Sequence, residues 1–299
     1  MQVKSIKTLY PSLAILAMFP LSGIAGEPLF GKVKTAEPLP ENAQELYFKI
    51  NRRDDKGEGH YTAYDYSLDY EYGVTDSFTL STGIKGMSLD TSGLLIEGYL
   101  PKEEDFSFMT TGVEVGFAYN FLKPALDDFG LSVSVDFDYA WVDPHSGQDK
   151  DTASVDLGLQ LQKYFMDGQL VWAGNANLET TWADRGEIDD LPEYFEWPTD
   201  PEMEIELGFS TGLSYRFAPN WFAGVEVQYE EEYETEVNRE RWSWFGGPNI
   251  HYGGEKFWAT LSWLEQFSGG GESYPGQTED LHLIEKTQSE MMLQVGMNF

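Results

Sequence analysis

Apolar and polar residues alternate along most of the chain. In the clearest segment, residues 63–72, a tyrosine or leucine occupies every second position, and small or acidic residues fill the others. A period of two predicts a β-strand, because a helix would spread these aromatics around its circumference. Similar segments recur as far as the C-terminus and predict about twelve strands of roughly ten residues or more. Gly246, Gly247 and Pro248 interrupt the tenth segment, where we expect a bulge or a break.

The connections between these segments alternate in length. Short ones fall near residues 73–76, 122–129, 165–168, 218–220 and 253–256. Longer, polar ones fall near residues 54–59, 88–105, 143–151, 184–201, 231–241 and 268–286. Short turns on one side and long loops on the other are typical of outer-membrane barrels, in which the short side is periplasmic. An even number of strands places both chain ends on that side.

The two faces of the predicted strands differ in a way that favours a membrane barrel over a soluble β-sandwich. Aromatic residues recur at strand ends, as the interfacial girdles of a barrel require. The strands are also longer than the ~5–6 residues usual in soluble sheets. The sequence therefore predicts an all-β fold, a transmembrane antiparallel up-and-down β-barrel of about twelve strands, formed by residues 43–299.

The N-terminal segment should not belong to the barrel. Lys4 and Lys7 precede an apolar run that ends in small residues at Ala25, which is the pattern of a secretory signal peptide over residues 1–25. Residues 26–42 are proline-rich and predict an irregular lead-in, placed either in the periplasm or as a plug in the lumen. We therefore expect export to the outer membrane of a Gram-negative bacterium.

Charge and composition exclude several classes of function. The chain has 51 acidic and 19 basic residues, a net charge of −32, and such a surface repels nucleic acid. Cysteine is absent, so disulfides and thiolate metal sites are excluded. No motif for a cofactor, a metal or a phosphate loop is present, and we predict none of these groups.

The C-terminus resembles the assembly signal of bacterial outer-membrane proteins. A terminal aromatic residue, Phe299, follows apolar residues at alternating positions, Met291, Leu293, Val295 and Met297. The segment 72–78 looks like a periplasmic turn of small transporter-like barrels. The resemblance implies an outer-membrane barrel family, with the lipid bilayer, lipopolysaccharide and the assembly machinery as partners. It transfers no functional residue.

Acidic residues dominate the polar face of the strands. Those that we expect to line the lumen, as candidates for binding or selectivity, are Asp65, Asp69, Glu114, Asp136, Asp138, Asp156, Glu204, Glu206 and Glu226. The main inward cations are Lys49, Lys85 and Arg216. An acidic lumen concentrates cations, which favours a narrow channel or facilitator for small cationic or neutral solutes. The alternative is a structural or surface-binding barrel with a plugged interior.

Three histidines, His60, His145 and His282, lie beside carboxylates in predicted loops. This arrangement can serve acid–base chemistry or bind a metal, as in an outer-membrane hydrolase. Loops this acidic place carboxylates near any histidine by chance, so we predict that the protein is not an enzyme. The loop acids are also candidates for divalent cations shared with lipopolysaccharide, against the alternative of a solvated surface.

Overall fold

The computed structural model describes residues 28–95, 105–187, 199–234 and 239–299. The predicted signal peptide, 1–25, lies outside the described residues, as do parts of three predicted long loops. Within the described part of the chain, no helix is long and apolar enough to cross a membrane.

Twelve antiparallel strands form one closed barrel in chain order, which confirms the predicted fold. They are β1 (Gln44–Asp54), β2 (Glu58–Thr75), β3 (Phe78–Leu95), β4 (Asp105–Leu122), β5 (Gly130–Val142), β6 (Asp149–Phe165), β7 (Leu170–Arg185), β8 (Glu202–Ala218), β9 (Trp221–Glu234), β10 (Arg239–Gly253), β11 (Phe257–Gly271) and β12 (Ser289–Asn298).

The first and last strands close the barrel. β1 pairs with β12 from Glu45 opposite Asn298 to Asp54 opposite Ser289. Beyond this ladder, the Phe299 amide donates to the Gln44 carbonyl at 3.0 Å, and the Gln44 amide donates back at 3.2 Å. Closure removes the sheet edges, so every strand has two neighbours.

The outer face is apolar and the inner face is polar, as the alternation predicts. Large apolar side chains such as Phe48, Ile84 and Phe137 are exposed on the outside. Aromatics also stand at both rims of the barrel, including Phe257 at the short-turn end and Trp182 at the other. A monomer in water rarely exposes such a continuous apolar surface, whereas lipid satisfies it.

Two local predictions, for the connection between β1 and β2 and for the tenth strand, have different outcomes. The expected long loop at 54–59 is wrong: β1 runs to Asp54 and β2 starts at Glu58, because strand pairing continues beyond the apolar part of the pattern. The turn needs left-handed backbone at Asp55 and Gly57, both with φ of 62°. In the tenth strand the structure shows a bulge rather than a break, since the register to β11 shifts after Trp244 and pairing then continues.

Candidate functional site

Every carboxylate predicted to line the lumen lies on the inward face of its strand, and most of them contact a cation of the wall. Arg53 binds Asp65 at 2.7 Å, and Lys49 approaches Asp69 at 3.5 Å. Lys150 approaches Glu204 at 3.4 Å.

Lys85 bridges two further predicted acids, Glu114 at 3.0 Å and Asp138 at a shorter distance. These pairs stabilise the wall, so a large part of the predicted acidity is neutralised within it. Arg216, also predicted to be inward, lies at the short-turn end of β8 opposite Phe222.

A row of carboxylates crosses five neighbouring strands along one line of cross-strand partners. Direct cross-strand partners in β5 to β9 are Asp136, Asp156, Glu179, Glu206 and Glu232. We call this set the acidic row. Like charges directly opposite one another destabilise a sheet. The acidic row therefore lowers the stability of the barrel, and a role other than stability must account for it.

Cations from outside the strands of the row offset part of its charge. Lys34, from the lead-in, approaches Asp136 at 3.1 Å. Lys286, from the connection before β12, approaches Glu206 at 3.3 Å. Between these two positions, Asp156 accepts a hydrogen bond from an asparagine and Glu179 from a threonine, and neither forms an ion pair with any described residue. The centre of the row is therefore held by hydrogen bonds and not by an ion pair among the described residues.

The described part of the lead-in, residues 28–42, lies inside the lumen and is held chiefly by Glu226. The two carboxylate oxygens of Glu226 accept hydrogen bonds from the backbone amides of Gly31 and Lys32 at 2.8 Å and of Val33 at 3.3 Å. The Ser262 hydroxyl adds a further bond at 2.8 Å. Glu226 is 2% exposed. Its acceptor positions are thus occupied by the lead-in and the wall, so Glu226 positions the lead-in.

Amide side chains of the wall hold the rest of this segment. Asn175 accepts from the Lys34 amide at 2.7 Å and donates to the Lys34 carbonyl at 2.8 Å. Gln162 accepts from the Ala36 amide at 2.8 Å, and Asn120 donates to the Ala36 carbonyl at 2.7 Å. The polar wall thereby satisfies a backbone that joins no strand.

An apolar contact anchors the same segment near the short-turn end of the barrel. Phe30, which is fully buried, packs with Val171, Ala173 and Phe222 of the inner wall. Its ring covers Gly212, where a Cβ atom would lie 2.5 Å from the Phe30 Cε1. Glycine is therefore required at this position for the ring to seat.

Three connections lie together at the opposite end of the barrel, and we call them the cap: residues 55–57, 143–148 and 272–288. The Gly57 amide donates to the Leu283 carbonyl at 3.0 Å, which joins the first connection to the third. Arg241 forms a short ion pair with Glu285 of the third connection. The Tyr61 hydroxyl donates to the His145 carbonyl at 3.0 Å, which fixes the second.

Burial and neighbouring charges shift the pKa values of three groups in the cap. It lowers the pKa of His282 to about 3, despite the nearby Glu285. Burial and the neighbouring Lys56 lower the pKa of His145 well below its usual value. Burial alone would raise the pKa of Glu285, but Arg241 lowers it well below the ordinary range. His282 and His145 are therefore neutral at neutral pH, and Glu285 is charged.

Two connected cavities lie between the lead-in and the cap. The larger, about 490 Å³, is lined by seven carboxyl groups and four lysines. The smaller, about 260 Å³, reaches the cap at His145 and Glu285. Lys85, Asp138 and Glu179 line both, so the space runs along one side of the barrel past the acidic row.

The three candidate catalytic histidines occupy different surroundings. His60 lies 3.6 Å from Asp90, and both side chains are exposed. His145 and His282 lie within the cap, where His282 is 1% exposed. Among the described residues, no group of three or more histidines and carboxylates could hold a metal ion.

Sequence reasoning missed the cations that matter most in the interior, Lys34 and Lys286, because neither lies in a strand. It also missed the lead-in's apolar anchor. A signal existed: β7 begins with Leu170, Val171 and Trp172, which place apolar residues on both faces. An apolar residue facing a polar lumen indicates that something apolar covers it.

The closed barrel, its apolar outer face and its internal segment define a transmembrane β-barrel of the outer-membrane type. The chain belongs to a family of unknown function, DUF6662, whose model matches residues 22–299. The comparison with curated protein sequences gives no match.

Solved structures support the fold. The COG4313 outer membrane channel from Pseudomonas putida F1 is 14% identical, with 88% of this chain and 98% of that chain covered and a TM-score of 0.57. The beta domain of the Bordetella autotransporter BrkA is 10% identical, with 87% and 100% covered and a TM-score of 0.52. Identities this low show a shared fold.

Proposed function

We propose that the protein is a narrow channel of the Gram-negative outer membrane for small cationic or neutral solutes. The observation that carries this proposal is the acidic row, whose central members Asp156 and Glu179 face the cavities without an ion pair among the described residues. Five carboxylates on adjacent strands cost stability. A cation that passes the row offsets that repulsion, and a polar lumen suits a hydrated solute.

The electrostatics favour cations over anions. Carboxyl groups outnumber lysines in the larger cavity, and the low-dielectric barrel wall focuses their field on the space between. Rings of carboxylates select for cations in other channels. The cavities are small, which limits the solute to a small ion or molecule.

The test is the reversal potential of the full chain in planar bilayers under a salt gradient. We expect cation preference, and we expect Asp156→Asn combined with Glu179→Gln to reduce the cation-to-anion permeability ratio several-fold. The matched control is Asp128→Asn combined with Asp167→Asn, which removes the same charge from exposed short turns. Anion preference of the unmodified chain, or equal effects of the two double variants, would contradict the proposal.

A second candidate is a permanently closed barrel with a structural or surface-binding role. The lead-in and the cap favour it, because they occupy both ends of the lumen. Solute flux separates the candidates: a permanently closed barrel gives no current under any condition that leaves it folded.

A hydrolase is a third candidate, and it depends only on His60 of β2 and the two cap histidines, His145 and His282. Replacing His60, His145 and His282 together should leave lipid and peptide hydrolysis at background. Measurable hydrolysis by the unmodified chain that this triple variant loses would instead support the enzyme.

We also propose the partners that the location implies: the bilayer, lipopolysaccharide and the assembly machinery, which would act on Met297 and Phe299. Both lie at the seam between β1 and β12. Divalent cations bound by loop acids together with lipopolysaccharide belong to the same proposal.

A further inference from the structure

The lead-in touches the barrel almost entirely through side chains of the wall. The described backbone groups of residues 28–39 that bond to the barrel do so through Glu226, Asn175, Gln162, Asn120, Gln294 and Thr260. Backbone-to-backbone contact with the wall begins at Asn42, whose amide donates to the Gly73 carbonyl at 2.7 Å. The segment is thus docked in the lumen without being part of the sheet.

The barrel is complete without this segment. Each strand pairs with two neighbours, and the seam between β1 and β12 is closed by a continuous ladder. The wall groups that hold the lead-in are mostly polar and would be hydrated in its absence. Removal would therefore cost contacts but no strand.

The junction with the first strand fixes where the segment leaves the sheet. Asn42 has a left-handed φ of 64°. Pro40 passes directly over Gly73, where a Cβ atom would lie 1.9 Å from the Pro40 carbonyl oxygen. From this point the segment rises from the short-turn end to Lys34 beside Asp136 of the acidic row and returns to Pro28 beside Thr260. It crosses the space that a solute would use.

From this arrangement we propose that residues 28–41 form a displaceable autoinhibitory plug, and that the channel conducts when the plug leaves the lumen. This inference rests on the proposed channel function and adds its regulation. Lys34 acts within it as a tethered cation that occupies one end of the acidic row while the plug is seated.

A covalent lock is the first test, because the chain contains no cysteine. A Cβ atom on Gly31 would lie 2.7 Å from the Ser262 Cβ, so a shift of about 1 Å gives disulfide spacing. In single-channel recordings, the full chain carrying Gly31→Cys and Ser262→Cys should be silent when oxidised and should conduct after reduction. The same current in both states would overturn the plug.

The second test is a substitution that displaces the plug sterically, without a cross-link. Gly212→Ala places a methyl group against the buried Phe30 ring, whereas Gly208→Ala, on the same face of β8, meets only the Asn177 Cβ at an ordinary 3.5 Å. We expect Gly212→Ala to raise the open probability at least tenfold over Gly208→Ala. Equal open probabilities would contradict the proposal.

Deletion of residues 28–40 tests the plug proposal and the channel proposal separately. A large increase in conductance supports both. Equal conductance with and without the segment overturns the plug and leaves the channel standing. If the deleted and the full chain are both silent although the barrels resist denaturation equally, the plug and the proposed channel are both overturned.

Discussion

Replacing Glu226 with alanine should release the lead-in, because one carboxylate holds three consecutive backbone amides, of Gly31, Lys32 and Val33. A hydrogen bond to a charged acceptor contributes about 1.5–3 kcal/mol. Taken at the low end, and reduced for water that enters the polar lumen, the loss is about 3 kcal/mol. The equilibrium between seated and released lead-in should then shift by roughly 150-fold.

Trypsin can measure this shift. The lead-in carries two cleavage sites, Lys32 and Lys34, which lie inside the lumen when the segment is seated. When opening is fast relative to cleavage, the cleavage rate follows the population of the released state. Cleavage at these sites, followed by mass spectrometry of the reconstituted barrel, should accelerate strongly in Glu226→Ala.

Two comparisons make the result specific. Glu226→Gln keeps one acceptor oxygen in place and should give an intermediate rate. Glu204→Ala removes an inward carboxylate that pairs with Lys150 and does not bind the lead-in, so it should leave the rate near that of the unmodified chain. The reasoning fails if Glu226→Ala is cleaved no faster than Glu204→Ala.

Two further predictions concern the cap and the seam. The pKa of His282 is lower in the closed cap than in the released cap. The charged and titratable groups around it are Glu285, Lys286, Arg241 and Lys56. Over the pH range between the two pKa values, His282 is therefore protonated in the released cap and neutral in the closed cap. Closure should therefore weaken as the pH falls from about 6.5 to about 3, with a further loss below about 4.5 as Glu285 is protonated. The protection factors of residues 272–288 in hydrogen exchange, which correct for the intrinsic pH dependence of the exchange rate, measure this. His282→Phe should reduce the upper part of the dependence, and His282→Phe combined with His145→Phe should abolish it, because burial also lowers the pKa of His145. Unchanged protection factors between pH 7 and pH 5 would count against the reasoning. Deleting Phe299 removes two hydrogen bonds at the β1–β12 seam, so heat-modifiable gel mobility should report a lower fraction of folded barrel, whereas deleting the exposed turn residue Asp128 should have a smaller effect.

Much of the fold could be predicted from local pattern. Alternation identified all twelve strands, because side-chain direction in a strand depends only on the parity of the position. The loop at 54–59 was wrong for a related reason. Backbone pairing does not require apolar alternation, so β1 and β2 continue past the point at which the pattern fades.

The candidate site was only partly predictable. The sequence indicated that Glu226 faces the lumen, but not that its oxygens are taken by the lead-in. It indicated an acidic interior, but not that Lys34 and Lys286 would enter that interior from segments outside the strands.

The sequence by itself determined that this chain forms a closed barrel with an apolar outside, a polar inside and a strand-forming C-terminus ending at Phe299. These properties follow from a two-residue period that each segment carries alone. Only the tertiary structure decided where the lead-in lies and which acids remain unpaired. Gly31 and Glu226 are 195 positions apart. Their contact depends on how twelve strands close around a segment that has no periodicity of its own.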